Sequence, residues 1–237
     1  MNLSAPIYVL KRKAKLLARE KTIALHRALE IIAVAEGFQS WSHLVSTSTS
    51  KNPAQNILSQ LDPGDLVLVG ARPGHGKTLL ALEMAAKAPQ LRGKGYFFTL
   101  DFNERDVADR LSAMGIAQTA INRSVVIDTS DEISADYMIR RLKTESTPAL
   151  IIVDYLQLLD QKRTNPSLDN QMKSLQKFVV DTGATCVVIS QIDRSFDLSC
   201  KSMPDISDVR LPNPLDLSVF QKLFFLHDGK IRMDQAA

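Results

Sequence analysis

The segment LVLVGARPGHGKT, residues 66–78, determines the predicted fold class. Its apolar first half predicts a buried strand, and the run LLALEMAAKA that follows predicts a helix. Residues 71–78 fit the phosphate-loop pattern, with Ala in place of the first Gly. Gly74 and Gly76 allow backbone N–H groups to turn toward an anion, and the start of the helix adds partial positive charge. The segment therefore predicts a nucleotide phosphate site.

The side chains of this loop have different expected roles. Lys77 would reach the β- and γ-phosphates, and Thr78 would hold Mg²⁺ through its hydroxyl. His75 could act in catalysis, but a spacer within the loop is the preferred interpretation. A Gly-rich turn before an ordinary helix is the alternative for the whole segment. The predicted nucleotide-binding residues are Arg72, Pro73, Gly74, His75, Gly76, Lys77, Thr78 and Leu79.

From residue 57 onward, strand-like apolar runs alternate with stretches that favour helices. This alternation predicts βαβ units and a mostly parallel sheet covered by helices on both faces. Asp228-Gly229 favours a tight hairpin between Leu223–His227 and Lys230–Met233. The parallel strands are expected at 66–70, 96–102, 124–128, 149–155 and 185–190, and the helices at 77–88, 103–114, 134–144 and 168–181.

Residues 1–45 have a different pattern. Apolar residues at helical spacing predict two short helices, and the polar residues 46–56 predict a linker to an α/β domain at 57–237. Residues 1–50 hold seven Lys/Arg and three Glu, whereas the rest of the chain holds 22 basic and 23 acidic side chains. The N-terminal helices are therefore the better candidate for a polyanion contact. A solvated face on a module that docks on a protein partner is the alternative.

The composition excludes several classes of protein. A hydrophobic fraction of 45% with 23% charged residues is typical of a folded chain. No run approaches the ~20 apolar residues that span a bilayer, and the first residues have the wrong order for a secretory signal. Two cysteines, Cys186 and Cys200, are too few for a disulfide scaffold or a Cys-rich zinc site. We expect a cytoplasmic protein without membrane association.

A carboxylate follows the apolar run ALIIVDY at residues 149–155. Ligands of open α/β sheets bind at the carboxyl ends of the strands, where Asp154 is expected. We expect Asp154 to hold Mg²⁺ directly or through a water. Strand-terminal aspartates are common, so this prediction depends on the phosphate loop that precedes it.

Three segments together resemble DnaB-type replicative helicases: residues 61–78, LIIVDYLQLL at 150–159 and VVISQIDRS at 187–195. The run SDVR at 207–210 is similar to the segment that follows in those proteins. The resemblance covers residues 58–227 with the motifs in the same order. It implies a RecA-like ATPase domain that uses ATP and Mg²⁺. It also implies single-stranded DNA as the polymer and a homo-oligomeric ring such as a hexamer.

The resemblance also implies roles for polar residues. Asp101 falls where the family places a catalytic Glu that polarises the attacking water, and Gln191 falls at its γ-phosphate sensor. The predicted catalytic residues are therefore Asp101, Gln191 and Lys77. The structural alternatives are a helix N-cap at Asp101 or Asn103, and a loop-anchoring amide at Gln191. Arg194 and Arg210 resemble positions near the subunit boundary, with plain surface residues as the alternative.

The chain departs from the family pattern at both ends. Where the family has a collar domain and a linker helix before the motor domain, this sequence has the short basic segment 1–45. Lys230 and Arg232 have the spacing of the family's Lys-x-Arg pair, which reaches into the ATP of the next subunit, but they directly follow a tight turn. Chance triplets of this kind are frequent. The loops at 161–170 and 194–203, which would face a central channel, carry only Lys162, Arg163, Arg194 and Lys201 as basic residues.

Two functions follow from these observations. The first is a compact DnaB-like ATPase that assembles into rings and translocates on single-stranded DNA in replication. This function is favoured by the expected site residues Lys77, Thr78, Asp154 and Gln191. The second is a nucleotide-dependent regulatory or partner-binding module, favoured by Asp101 and by the departures at both ends. A small-molecule kinase is disfavoured because the sequence has no Arg-rich lid.

Overall fold

A computed structural model describes residues 3–5, 7–44, 53–90, 93–116, 124–143, 149–162, 164–199, 201–211, 213–228 and 230–235. The chain divides into two units, Met1–Asn56 and Ile57–Ala237. Most of the predicted linker, residues 46–52, lies outside the described residues, as do Arg163, Cys200 and Gly229.

The first unit contains the two helices that the sequence predicts, α1 (Ile7–Glu20) and α2 (Leu25–Ala35). Leu10, Ala33, Phe38 and Leu44 form its small core. Every Lys and Arg of α1 is exposed, while Ala14 and Leu10 on the opposite stripe are fully buried. The helix is therefore amphipathic, with a basic outer face.

The second unit is built on a seven-stranded sheet with the order β3-β2-β4-β5-β1-β6-β7. Six strands run parallel, and β7 is antiparallel to β6. The strands are β1 Leu66–Ala71, β2 Gly95–Thr99, β3 Val125–Asp128, β4 Leu150–Asp154, β5 Thr185–Gln191, β6 Lys222–His227 and β7 Lys230–Gln235. Helix α3, Pro53–Leu58, contains the division between the units, so residues 53–56 are helical and the predicted linker extends too far. The helices of the second unit that follow are α4 Lys77–Lys87, α5 Glu104–Ala113, α6 Ala135–Leu142 and α7 Leu168–Thr182.

The central strands are apolar because helices cover the sheet on both faces. Every residue of β1, β2 and β4 is buried, as expected of a parallel sheet in an α/β fold. Helix α4 approaches β2 so closely that a Cβ on Gly95 would lie 2.3 Å from the carbonyl oxygen of Ala85. Only glycine fits there, so Gly95 permits the packing of the helix that begins at the phosphate loop.

The start of β1 is fixed to the start of β6 by a cluster of charges. The ammonium of Lys222 lies 2.7 Å from Asp65 and 2.6 Å from Asp62. The backbone N–H of Leu66 donates to the side-chain oxygen of Gln221 at 2.6 Å. These contacts set the register of the two strands at the edge opposite the predicted site.

The predicted end of β2 is also wrong. The apolar run predicts that β2 continues to Phe102, but the strand ends at Thr99, so Asp101 lies in the bend after it. The chain leaves the sheet there because Asn103 caps α5: its side chain accepts a hydrogen bond from the N–H of Asp106 at 2.9 Å. Of the two N-cap candidates, Asn103 is the cap, which leaves the Asp101 carboxylate exposed.

The carboxyl ends of β1, β4 and β5 lie along one edge of the sheet. In the strand register, Ala71 pairs with Gln191, and Asp154 pairs with Ile189 and Thr99. This edge therefore brings together the phosphate loop, the carboxylate at the end of β4 and the glutamine at the end of β5. Among the described residues, no helix is long and apolar enough to cross a bilayer.

Candidate nucleotide-binding site

The phosphate loop leaves β1 at Ala71 and turns into α4 through two glycines in the left-handed region. Gly74 has φ +84° and Gly76 has φ +80°. A Cβ on Gly74 would meet nothing within 4 Å, so backbone conformation rather than space requires glycine there. Gly76 occupies the N-cap position of α4, and no side chain caps the helix. The first N–H groups of α4 are therefore available to an anion.

Asp154, at the end of β4, is the buried carboxylate of the site. It is 1% exposed. Neither of its oxygens makes a hydrogen bond of ordinary geometry within the described residues. Burial raises the pKa of Asp154 to about 6, against the opposing effects of the Lys77 charge and the Thr78 hydroxyl. An unpaired carboxylate beside a threonine hydroxyl is a donor set that suits Mg²⁺, so these residues fit the ion that the sequence resemblance implies.

Two of the three catalytic candidates, Lys77 and Asp101, act on this carboxylate. The Lys77 ammonium lies 5.3 Å from the centre of the Tyr155 ring and has no ion-pair partner among the described residues. The negative charge of Asp101 contributes to the raised pKa of Asp154. Lys77, Thr78 and Asp101 therefore all influence the pKa of Asp154. Their catalytic and metal-binding roles stay predictions.

Gln191 belongs to a hydrogen-bond network at the end of β5. Its side-chain oxygen accepts from the Arg210 guanidinium at 3.2 Å, and its backbone N–H donates to Gln157 at 3.3 Å. Gln157 also donates to the hydroxyl of Ser190 at 3.0 Å and to the carbonyl of Arg210 at 2.5 Å. The network joins the segment after β4 to the segment at 209–210.

The sequence did not reveal the role of Gln157. It lies in the apolar run YLQLL and is 8% exposed. A single glutamine inside an apolar run could have indicated a buried hydrogen-bonding residue, because a buried amide needs hydrogen-bond partners. A polar cleft of about 260 Å³ opens beside it. The cleft is lined by Tyr155, Gln157, Asp160, Gln161, Gln191, Arg210 and Asn213.

Arg72 connects the phosphate loop to the segment after β5. Its guanidinium contacts both carboxylate oxygens of Asp197, at 2.9 and 2.5 Å, and donates to the carbonyl of Ile192 at 3.0 Å. Asp197 lies in a short 3-10 helix, Arg194–Leu198, in which Arg194 is exposed. The guanidinium of Arg72 is thus already paired within the chain.

The two basic candidates of the hairpin lie on β7, at the edge of the sheet. Lys230 is exposed. Arg232 pairs with Asp234 at 2.6 Å and lies 5.7 Å from the centre of the Phe225 ring. Its side chain is 37% exposed. The guanidinium therefore has a partner within its own chain.

A mostly parallel sheet, with a glycine-rich loop after β1 and a buried aspartate at the end of β4, defines a RecA-like nucleotide-binding domain. The chain matches the family described as DnaB-like helicase C terminal domain over residues 48–130 and 114–215. It belongs to that family, which confirms the resemblance drawn from its motifs.

Individual relatives agree with this assignment. The chain is 27% identical to the replicative DNA helicase DnaB of Mycoplasma genitalium over 214 residues, which cover 76% of this chain and 46% of that protein. It is 25% identical to DnaB of Geobacillus stearothermophilus, over 75% of this chain and 46% of that protein. The chain thus spans about half the length of these relatives.

Two solved structures share the fold. One is described as an ATPase domain, with a TM-score of 0.57 and 21% identity over 70% of each chain. The other is a DnaB-like replicative helicase described with its interactions with primase. Its TM-score is 0.59 at 20% identity, over 92% of this chain and 66% of that one.

Asp154→Asn should stabilise the protein when Mg²⁺ and nucleotide are absent. The pKa of Asp154 is raised from 3.8 to about 6, so the unfolded chain loses this proton at lower pH than the folded one. The folded state is therefore destabilised as the pH rises from 3.8 to about 6, because the folded chain keeps the proton that the unfolded chain has lost. At about pH 7.5 we expect a gain of roughly 1–3 kcal/mol, with a smaller gain at about pH 4.5.

Thermal unfolding at the two pH values measures this effect. Asp181→Asn, an exposed carboxylate on α7, is the matched control and should change stability little at either pH. An Asp154→Asn protein that melts at or below the wild-type temperature at the higher pH would contradict the assignment of a buried, unpaired charge.

Proposed function

We propose that this chain is the ATP-hydrolysing motor domain of a DnaB-type helicase that acts on single-stranded DNA in replication. The observation that carries the proposal is the meeting of three features at one sheet edge. These are the uncapped start of α4, the Lys77 ammonium and the unpaired Asp154 carboxylate. Together they offer positive charge to phosphates and a carboxylate to the cation that accompanies them.

Each residue has a distinct task in this proposal. The N–H groups at the start of α4 and the Lys77 ammonium bind the β- and γ-phosphates, while Thr78 and Asp154 hold Mg²⁺. The ion supplies charge neutralisation on the phosphate oxygens when bound. Asp101 orients and polarises the attacking water; its charge already acts on Asp154. The Asp101 side chain is one methylene shorter than the family's Glu, so we expect a modest rate.

We further propose that Gln191 reports the presence of the γ-phosphate to the polar cleft. Its hydrogen bonds to Gln157 and Arg210 support this role. A movement of the Gln191 side-chain amide would act on the Arg210 guanidinium, and a movement of its backbone would act on Gln157; both residues line the cleft. Arg210 then acts within its own subunit, rather than at a boundary between subunits.

The placement of the polymer is a separate part of the proposal. Lys162 donates to the carbonyl of Asp131, and Lys201 pairs with Asp205 at 2.8 Å and with Asp208 at 3.0 Å. These two loop lysines are therefore already engaged within the chain. The exposed basic face of α1 is the better contact for a polyanion. Docking of residues 1–45 on a partner protein is the alternative.

Assembly into a homo-oligomeric ring, such as a hexamer, completes the proposal. RecA-like motors of this family place ATP at a subunit boundary, where a neighbouring cation stabilises charge in the transition state. Lys230, Arg232 and Arg194 are the candidates for that cation. The proposed place of action is the cytoplasm. A regulatory module without motor activity is disfavoured, because the chain belongs to a helicase domain family.

Lys77→Ala should lower ATP affinity by roughly 10- to 100-fold, because a charge-assisted contact to the phosphates is lost. Phosphate release stimulated by single-stranded DNA should disappear. The control is Lys87→Ala, at the other end of α4, where the lysine pairs with Glu83. Nucleotide titration and melting temperature are the measurements. Unchanged affinity in a folded Lys77→Ala protein would refute the phosphate-loop assignment.

Arg232→Ala should reduce turnover while leaving ATP affinity nearly unchanged, because its charge acts chiefly in the transition state. Turnover per chain should rise with protein concentration as rings form. Mixing Arg232→Ala with Lys77→Ala subunits should restore part of the activity at mixed boundaries. Arg140→Ala, an exposed arginine on α6, is the control. Full activity of Arg232→Ala at every concentration would exclude the trans-acting role.

Replacing the exposed residues Arg12, Lys15 and Arg19 with Gln should weaken binding of a single-stranded oligonucleotide. If each neutralises one phosphate, the slope of log affinity against log salt should fall by about 2. The control carries three glutamines on the second unit, at Arg140, Arg141 and Lys177. An unchanged slope in the first variant would assign residues 1–45 to a protein partner instead.

A further inference from the structure

Two histidines and an aspartate meet beside the phosphate loop. His75 lies in the loop itself, and His227 and Asp228 lie where β6 turns into β7. One potential ligand atom from each of the three side chains lies within 4.8 Å of the other two. The two imidazole rings stack with centroids 5.2 Å apart and planes inclined by 14°. The Nε2 atom of His227 is 3.5 Å from a carboxylate oxygen of Asp228.

The nucleotide site does not account for this cluster. The Nδ1 atom of His227 is buried and has no hydrogen-bond partner among the described residues. Phe196 packs edge-on against the same ring, with centroids 4.9 Å apart, and so fixes its position. Asp228 has φ +47°, a left-handed conformation that aspartate tolerates better than most residues. The hairpin thus holds the His227 ring in place next to the loop, with the exposed Asp228 side chain directly after it.

We propose that His75, His227 and Asp228 form a binding site for a divalent transition-metal ion of the zinc type. Two imidazoles and a carboxylate are a ligand set that zinc takes, with a water in the fourth position. Donors that share an ion at about 2.1 Å lie at most about 4.2 Å apart, so modest side-chain rotations complete the site. His75 is exposed and the Asp228 side chain is 76% exposed, so both have room to rotate.

This site is distinct from the magnesium site at Thr78 and Asp154. Mg²⁺ prefers oxygen ligands, whereas imidazole nitrogen suits Zn²⁺, Co²⁺ and Ni²⁺. An ion held by His75 and His227 would fasten the phosphate loop to the hairpin that carries Lys230 and Arg232. The metal would therefore restrain the phosphate loop, whether or not the chain hydrolyses ATP.

Titration of the full chain with Zn²⁺, in the absence of nucleotide, tests the proposal. We expect one ion per chain at this site, with a raised melting temperature because the ion binds the folded state. His227→Gln and His75→Gln should each weaken Zn²⁺ binding by at least about tenfold, and Asp228→Asn should weaken it less. Co²⁺ should compete with Zn²⁺, whereas Mg²⁺ should not.

The chain offers a matched control. It has four histidines, and His26 lies in the first unit; His26→Gln should bind Zn²⁺ as the wild type does. His75→Gln keeps the test decisive if His227→Gln fails to fold, because His75 is exposed. Absence of Zn²⁺ binding in the wild type would overturn the proposal. Equal affinity in the wild type and His75→Gln, or a loss in His26→Gln as large as in His75→Gln, would also overturn it.

Discussion

The burial of the Asp154 carboxylate is the constraint on which the site depends. A charged group out of water is costly unless something compensates it. Strand β4 lies between β2 and β5 in the middle of the sheet, and all its residues are buried. The compensation within the chain comes from Lys77 and from the Thr78 hydroxyl, and it is incomplete, because the pKa remains raised. A cation at the carboxylate would complete it, so the folded chain is prepared for a charged ligand.

The order of the strands determines which residues can share that carboxylate. Strand β1 is inserted between β5 and β6, so the phosphate loop emerges beside the end of β5. The loop therefore has Gln191 on one side and the β6–β7 hairpin on the other. Residues distant in the chain become neighbours: Arg72 meets Asp197, and His75 meets His227. Parallel strands impose this arrangement because their carboxyl ends share one edge.

The sequence predicted the parts of the molecule that local patterns encode. The phosphate loop, the parallel strands and the hairpin each have a short signature, and the structure confirms these elements. The predicted roles of Asp101, Gln191 and Arg232 stay predictions. The sequence predicts too long a β2 because Leu100 and Phe102 continue its apolar run, although the Asn103 cap ends it. The Arg72–Asp197 pair and the contacts of Gln157 were missed because each joins segments that only the folded sheet brings together.

The Arg72–Asp197 pair has a thermodynamic consequence. It ties the loop that holds the phosphates to an exposed 3-10 helix that ends at Leu198, whose surface is 90% exposed. A molecule that docks on this helix and pulls Asp197 away would change the free energy of the loop. This coupling is reciprocal. If the molecule changes the affinity of the chain for nucleotide by some factor, bound nucleotide changes the affinity of the chain for that molecule by the same factor. Through this one ion pair, binding at the 3-10 helix and binding at the phosphate loop would be thermodynamically coupled.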